Sequence, residues 1–135
     1  MAIQLIADLY GCSQVIDDEE AIKEAAHKAI AYVGAQIVEE CIHKFEPIGV
    51  TYFAVISTSH FSIHTWPEYG YAAVDIFSCH DRVVDGISQM LKELFEAEEI
   101  KFRSIERDIG IKMKERIEEK GVKHELSGWH DAADQ

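Results

Sequence analysis

Residues 57–79 read STSHFSIHTWPEYGYAAVDIFSC. It sets Ser59, His60, His64, Glu68, Asp75 and Cys79 among apolar and β-branched residues. Residues 61–66 and 71–79 read as two strands, whose side chains alternate between two faces. Trp66-Pro67-Glu68-Tyr69-Gly70 between them is a turn, because Pro fixes φ and Gly allows φ > 0. His60 and His64 then share one face of the first strand, and Asp75 and Cys79 share one face of the second. Just upstream, residues 50–57 are apolar and β-branched, as a buried strand is. The hairpin keeps Ser59, His64 and Cys79 on neighbouring strands.

Upstream, Ile3, Leu5 and Leu9 share one parity and predict a strand over 3–10, which Gly11-Cys12-Ser13 breaks. Asp17 reads as a helix N-cap, with Glu20 at the capping-box position. Ile22, Ala25, Ala26, Ala29, Ile30 and Val33 make an apolar stripe at helical spacing, and Gly34 ends that helix. Residues 36–45 predict a second strand and 47–49 a turn. Downstream, His80-Asp81 opens a second helix whose face is Val83, Val84, Ile87, Met90, Leu91, Leu94 and Phe95. Residues 101–107 predict an edge strand and 111–120 a short charged helix; the rest is polar. The order is β-α-β-β-β-β-α-β. It predicts an α+β fold, a two-layer sandwich of a largely antiparallel sheet with helices on one face.

The 135 residues hold no repeat, so 1–135 reads as a single domain, and 47% hydrophobic content supports a packed core. A formal charge of −12 repels nucleic acid and anionic membrane surfaces and suits a cationic small-molecule substrate. No apolar run reaches the ~20 residues of a membrane helix. The opening MAIQLIADLY has no basic segment and carries Asp8, unlike a signal peptide. Three scattered Cys cannot all pair, so a reduced, cytoplasmic setting is expected. The absence of Cys-x-x-Cys and of His-x-x-x-Cys argues against zinc, and no metal site is expected.

The run Ser59-His60-x-x-Ile63-His64-Thr65-Trp66-Pro67-Glu68-Tyr69-Gly70-Tyr71-Ala72-Ala73-Val74-Asp75 resembles the signature of the short prokaryotic S-adenosylmethionine decarboxylases. These are pyruvoyl enzymes of polyamine biosynthesis that cut themselves. The resemblance covers roughly residues 5–107 and supports the same sandwich. It implies that the Ser59 hydroxyl attacks the Thr58 carbonyl, shifting the amide to an ester. β-Elimination and hydrolysis then leave a pyruvoyl group at position 59, with chains of residues 1–58 and 59–135. That covalent group, the implied cofactor, forms a Schiff base with the substrate amine and takes up electrons as CO2 departs.

The resemblance also distributes roles. His64 assists cleavage, together with Thr51, which stands where the family commonly has Ser. Cys79 protonates the carbanion. Glu68 grips the ribose diol, Phe45 is an aromatic plate for adenine, and Tyr10 is a second candidate plate. The family precedent is a homodimer of cleaved protomers. One protomer gives Ser59, Cys79 and Tyr10, and the other gives Phe45, Thr51, His64 and Glu68.

Each of these residues also has a plainer reading. A buried Cys79 is usually a small core residue. His60 is more often a hydrogen-bonded strand residue than a catalyst, and Phe45 and Tyr10 are ordinary core aromatics. It is the joint match that lifts Ser59, His64, Cys79 and Glu68 above this background. Cys12, Cys41, Asp75, His27, His43 and His124 are assigned to structure or surface, and Glu96, Glu98 and Glu99 to a solvated helix end.

Three departures from the family pattern touch the substrate. Thr58 stands for the usual Glu, Ala2-Ile3-Gln4 for a Gly-basic-His run, and Gly11 for an acid. Thr58 still offers a carbonyl, so cleavage survives. L-Ornithine and L-arginine, substrates of offshoots of the family, stand as alternatives to S-adenosylmethionine, since Glu68 can equally meet an ammonium or guanidinium. An alternative of another class is an uncleaved, inactive chain that regulates a second decarboxylase chain.

Overall fold

A computed structural model of the chain describes residues 2–57, 59–78, 85–107 and 116–118. Six strands and two helices follow the expected order. β1 (Ala2–Tyr10) is followed by a 3-10 turn (Gln14–Asp17) and α1 (Glu19–Tyr32). Then come β2 (Ile37–Lys44), β3 (Val50–Ile56), β4 (His60–Trp66), a 3-10 turn (Pro67–Tyr69) and β5 (Tyr71–Ser78). α2 (Ile87–Leu94) and β6 (Glu99–Arg107) complete the described elements.

The strands form one sheet in the order β2-β3-β4-β5-β1-β6, and every neighbouring pair is antiparallel. β2 to β5 is a meander joined by short turns. β1 leaves that sequence and inserts between β5 and β6. Period-two alternation decides which side of each strand is covered. Ile3, Leu5, Ala7 and Leu9 of β1 are buried, as are Val50, Tyr52, Ala54 and Ile56 of β3. Against this face α1 lays Ile22, Ala25, Ala26, Ala29 and Ile30, and α2 lays Ile87 and Leu91. Each large side chain buried there contributes about 1.5–3 kcal/mol relative to exposure. The Tyr52 hydroxyl is satisfied at the rim of this layer, where it donates to Glu40 Oε1 at 2.6 Å.

Neither α1 nor α2 lies on the opposite face of the sheet. It carries Thr51, Phe53 and Val55 of β3, His60, His64 and Trp66 of β4, and Tyr10 of β1. Phe53, Val55, Trp66 and Ile105 are exposed large hydrophobics on this side.

One local expectation changes, and two others fall partly outside the described residues. The cap of α1 is Asp18, whose Oδ1 accepts from the N–H groups of Glu20 and Ala21; Asp17 instead closes the preceding 3-10 turn. α2 begins at Ile87, after Gly86 at φ 85°, while the expected start at His80-Asp81 lies outside the described residues. Most of the helix expected over 111–120 also lies outside them; residues 116–118 are helical.

Candidate active site

The register of β3 and β4 sets Thr51 directly opposite His64. Both side chains stand on the uncovered face, and Thr51 Oγ1 lies 3.1 Å from His64 Nδ1. Thr65, one residue on, points to the covered face. Its Oγ1 accepts from the Val50 N–H at 2.9 Å and donates to the Val50 carbonyl at 3.3 Å. This side chain extends the ladder past its last backbone pair and fixes the strand that carries Thr51.

Two turns rise on either side of that pair. The first joins β2 to β3. It closes through the Phe45 N–H donating to the Gly49 carbonyl at 2.8 Å. Asp17 Oδ1 accepts from the Gly49 N–H at 2.8 Å and pairs with Lys44 Nζ at 3.1 Å. The Gly49 N–H is the main reason the Asp17 carboxyl sits below the usual Asp value; partial burial opposes it, and Lys44 adds to the lowering. The second turn joins β4 to β5. Pro67 opens it and Gly70 closes it at φ 63°, a left-handed conformation that suits Gly. The Gly70 carbonyl accepts from the Cys12 N–H at 2.9 Å.

Between the turns lies a cavity of about 510 Å³, lined by Phe45, Thr51, His64, Trp66 and Glu68, with Gly49 at its edge. Four of the residues assigned a role from the sequence therefore converge: Phe45, Thr51, His64 and Glu68. Phe45 is 46% exposed, so it is not a core aromatic. Its ring meets His43 edge-on at 4.5 Å between centroids.

Ser59 is placed elsewhere. It follows the β3–β4 hairpin tip, where its carbonyl accepts from the Ile56 N–H at 3.1 Å. The tip is tied to the start of β2, since the Ser57 N–H donates to Gln36 and the Gln36 N–H to Ser57 Oγ. At about 3.3 Å per residue, Ser59 and His64 of one chain are about 16 Å apart along the strand. Thr58 and Cys79 lie outside the described residues.

Tyr10 is at the cavity end of the sheet. Leu9 pairs with Ala72 and Ile3 with Ser78, so Tyr10 stands beside Tyr71, while Ser59 belongs with the Ile3 end. The expected grouping of Tyr10 with Ser59 is therefore not met within one chain. Rings run from Tyr10 to Tyr71 at 5.5 Å and from Tyr71 to Trp66 at 5.4 Å. The Tyr71 hydroxyl donates to Asp8 at 2.6 Å, and this bond, with burial, pushes its pKa up to about 12. His60 lies between Phe53 and Phe77, at 5.7 Å from each ring.

Trp66, Thr65 and Asp17 were not assigned to the site from the sequence. Trp66 shares its parity with His64, so period-two counting could have found it. Asp17 gives no such signal, because its partners are far along the chain.

The family profile of S-adenosylmethionine decarboxylase matches residues 3–108. An S-adenosylmethionine decarboxylase proenzyme of Moorella thermoacetica is 45% identical over 107 residues, covering 78% of this chain and 86% of that protein. One of Caldanaerobacter subterraneus subsp. tengcongensis is 44% identical over 114 residues, covering 79% of this chain and 92% of that protein. Among solved structures, the crystal structure of the adenosylmethionine decarboxylase from Aquifex aeolicus VF5 is similar, with a TM-score of 0.69 and 30% identity. That match covers 81% of this chain and 92% of the other.

Proposed function

Because the chain belongs to the S-adenosylmethionine decarboxylase family, we propose that it is a proenzyme that cuts itself between Thr58 and Ser59 and then removes CO2 from S-adenosylmethionine. The observation that carries this reading is the single cavity shared by Phe45, Thr51, His64 and Glu68.

Cleavage begins with the Ser59 hydroxyl adding to the Thr58 carbonyl, which exchanges the amide bond for an ester. Elimination breaks the Cβ–O bond, releases residues 1–58 with a free carboxylate, and leaves a dehydroalanine whose hydrolysis expels ammonia. The position suits a group made this way. A break beside the hairpin tip leaves the ladder from Thr51–His64 to Val55–His60 to hold both new ends. The pyruvoyl group so made supplies an electron-withdrawing carbonyl for the decarboxylation.

The remaining work falls to side chains. Thr51 and His64 hold each other at 3.1 Å, which orients both for moving the protons of cleavage. Phe45 offers a ring for adenine and Glu68 a carboxylate for the ribose diol. Cys79 is the proton donor by family resemblance. Since Ser59 stands about 16 Å from its own chain's Thr51–His64 pair, the pair that serves it comes from a second copy. A two-fold homodimer satisfies this, and the exposed Phe53, Val55, Trp66 and Ile105 give its protomers an apolar face to pair. The aromatic walls favour the nucleoside over L-ornithine or L-arginine, which need none.

Mass spectrometry of the purified protein tests the core of this reading. Two chains, 1–58 and a pyruvoyl-ended 59–135, are expected, with Ser59→Ala staying at the full 135 residues. An active protein that is a single unmodified chain overturns it. Cys79→Ala should still be cut but lose kcat. Release of CO2 from an amino acid and none from S-adenosylmethionine overturns the substrate assignment. A fully active monomer removes the shared site.

A further inference from the structure

The segment between β1 and α1 is tied to both rims of the cavity. On one side the Cys12 N–H donates to the Gly70 carbonyl at 2.9 Å, and Gln14 Nε2 donates to the Pro67 carbonyl at 3.2 Å. These bonds hold the turn that carries Glu68. On the other side Asp17 Oδ1 accepts from the Gly49 N–H at 2.8 Å and meets Lys44 Nζ at 3.1 Å. The same Nζ donates to the Phe45 carbonyl at 2.9 Å. These bonds hold the turn that carries Phe45.

Strand pairing fixes β2, β3, β4 and β5, and the Phe45 N–H bond to the Gly49 carbonyl closes the first turn, but the set of that turn toward the opposite rim is left to other contacts. Core packing does not hold Phe45, which is 46% exposed. The contacts from Asp17 supply what packing does not. We infer that Asp17 is a positioning residue for the substrate: it anchors the turn at 45–49 so that Phe45 stands at a set separation from Glu68, with Gln14 and Cys12 bracing the opposite rim. The inference rests on the functional reading above. Adenine and ribose are joined by a single rotatable bond, so a ring on Phe45 and a diol on Glu68 are both satisfied only within a narrow range of separations. Misplacing either contact weakens binding even where the reacting groups are unchanged.

Cleavage is spared in this scheme. Thr51 is held by its pairing with His64 and by the Thr65 bonds to Val50, none of which involve Asp17. Loss of the anchor therefore separates substrate binding from maturation, which a general loss of stability does not do. Asn at position 17 keeps an acceptor for the Gly49 N–H and gives up only the charge toward Lys44.

The test compares wild type, Asp17→Ala and Asp17→Asn. Asp17→Ala should be fully cut, raise KM for S-adenosylmethionine about ten-fold and change kcat less than about two-fold, and Asp17→Asn should recover most of the KM. Independently of activity, hydrogen exchange at the Gly49 amide should quicken in Asp17→Ala and return toward wild type in Asp17→Asn. Unchanged KM in Asp17→Ala, unchanged exchange at Gly49, or an Asn variant as impaired as Ala overturns the inference. If wild type stays whole or ignores S-adenosylmethionine, it is the functional reading that fails. The exchange comparison then decides alone whether Asp17 anchors the turn.

Discussion

Thr51 and His64 face each other across β3 and β4, with Oγ1 3.1 Å from Nδ1, and the strand register alone is enough to bring them together. The pairing joins a hydroxyl to an imidazole, so each side chain limits the orientation of the other. His64→Ala should leave most of the chain uncut, and Thr51→Val should slow cutting by about 100-fold or more, the scale of losing a positioned proton-transfer group. Thr51→Ser, which keeps the hydroxyl, should be cut nearly as wild type. The fraction of whole chain after timed expression reads all three; a normally cut His64→Ala removes that residue from maturation.

Phe45→Ala separates a substrate plate from a core residue. Loss of a stacked aromatic costs roughly 1–3 kcal/mol by analogy with base stacking, or about ten-fold or more in KM for the nucleoside substrate. Because Phe45 is 46% exposed, its Tm should move little. A large fall in Tm together with an unchanged KM would assign the ring to folding alone.

The two cysteines of the described residues should differ in reactivity. Burial pushes the Cys12 thiol from 9.0 up to about 11, opposed only in part by a backbone hydrogen bond, whereas Cys41 is exposed. An alkylating reagent attacks the thiolate. At pH 8 it should therefore modify Cys41 first and Cys12 only after unfolding. The sign for stability follows from linkage. An unfolded Cys12 gives up its proton near 9.0 and the folded one near 11, so its contribution is intact below 9.0 and is lost as pH rises through about 11. Peptide mapping that finds Cys12 labelled as fast as Cys41 in folded protein would contradict the burial.

Gly70 and Gly34 give a matched pair of substitutions. Both have left-handed φ, at 63° and 80°. A Cβ on Gly70 would stand 3.3 Å from the Cys12 carbonyl oxygen, while one on Gly34 meets nothing within 4 Å. Gly34→Ala should cost about 1–2 kcal/mol, the conformational term alone. Gly70→Ala should cost more, because backbone has to shift, and should raise KM by displacing Glu68. Denaturant melts of the two variants decide it; equal losses would mean that the Cys12 contact yields freely.

Much of this fold was legible because its signals are local. The β4–β5 hairpin announced itself through period two and the Pro67–Gly70 turn, and α1 through Ile22, Ala25, Ala26, Ala29 and Ile30. The insertion of β1 between β5 and β6 was not legible, since Ile3 finds Ser78 and Glu106 across most of the chain and neither partner marks the other. Asp17 shows the same limit in one residue. Next to Asp18, two carboxylates compete for the cap, and the sequence does not say which one turns away to Gly49. In the site, the family resemblance brought out Thr51, His64, Glu68 and Phe45, but only the register revealed that Tyr10 and Ser59 stand at opposite ends of the sheet.

The place of β1 has a consequence for the cut proposed between Thr58 and Ser59. Residues 1–58 provide β1, β2 and β3, and the remaining residues provide β4, β5 and β6, so the strand order interleaves the two pieces rather than laying them side by side. Neither piece can leave without stripping β1 from two neighbours and β3 from β4. Once they do part, rejoining is an encounter between separate molecules, and its yield falls on dilution as mass action requires. An uncut chain such as Ser59→Ala keeps all six strands in one molecule, so pairing β1 with β5 and β6 needs no second piece, whereas the cut form, once denatured and diluted, should recover poorly. Maturation would thus convert a reversible folder into a protein with a memory of having been folded first.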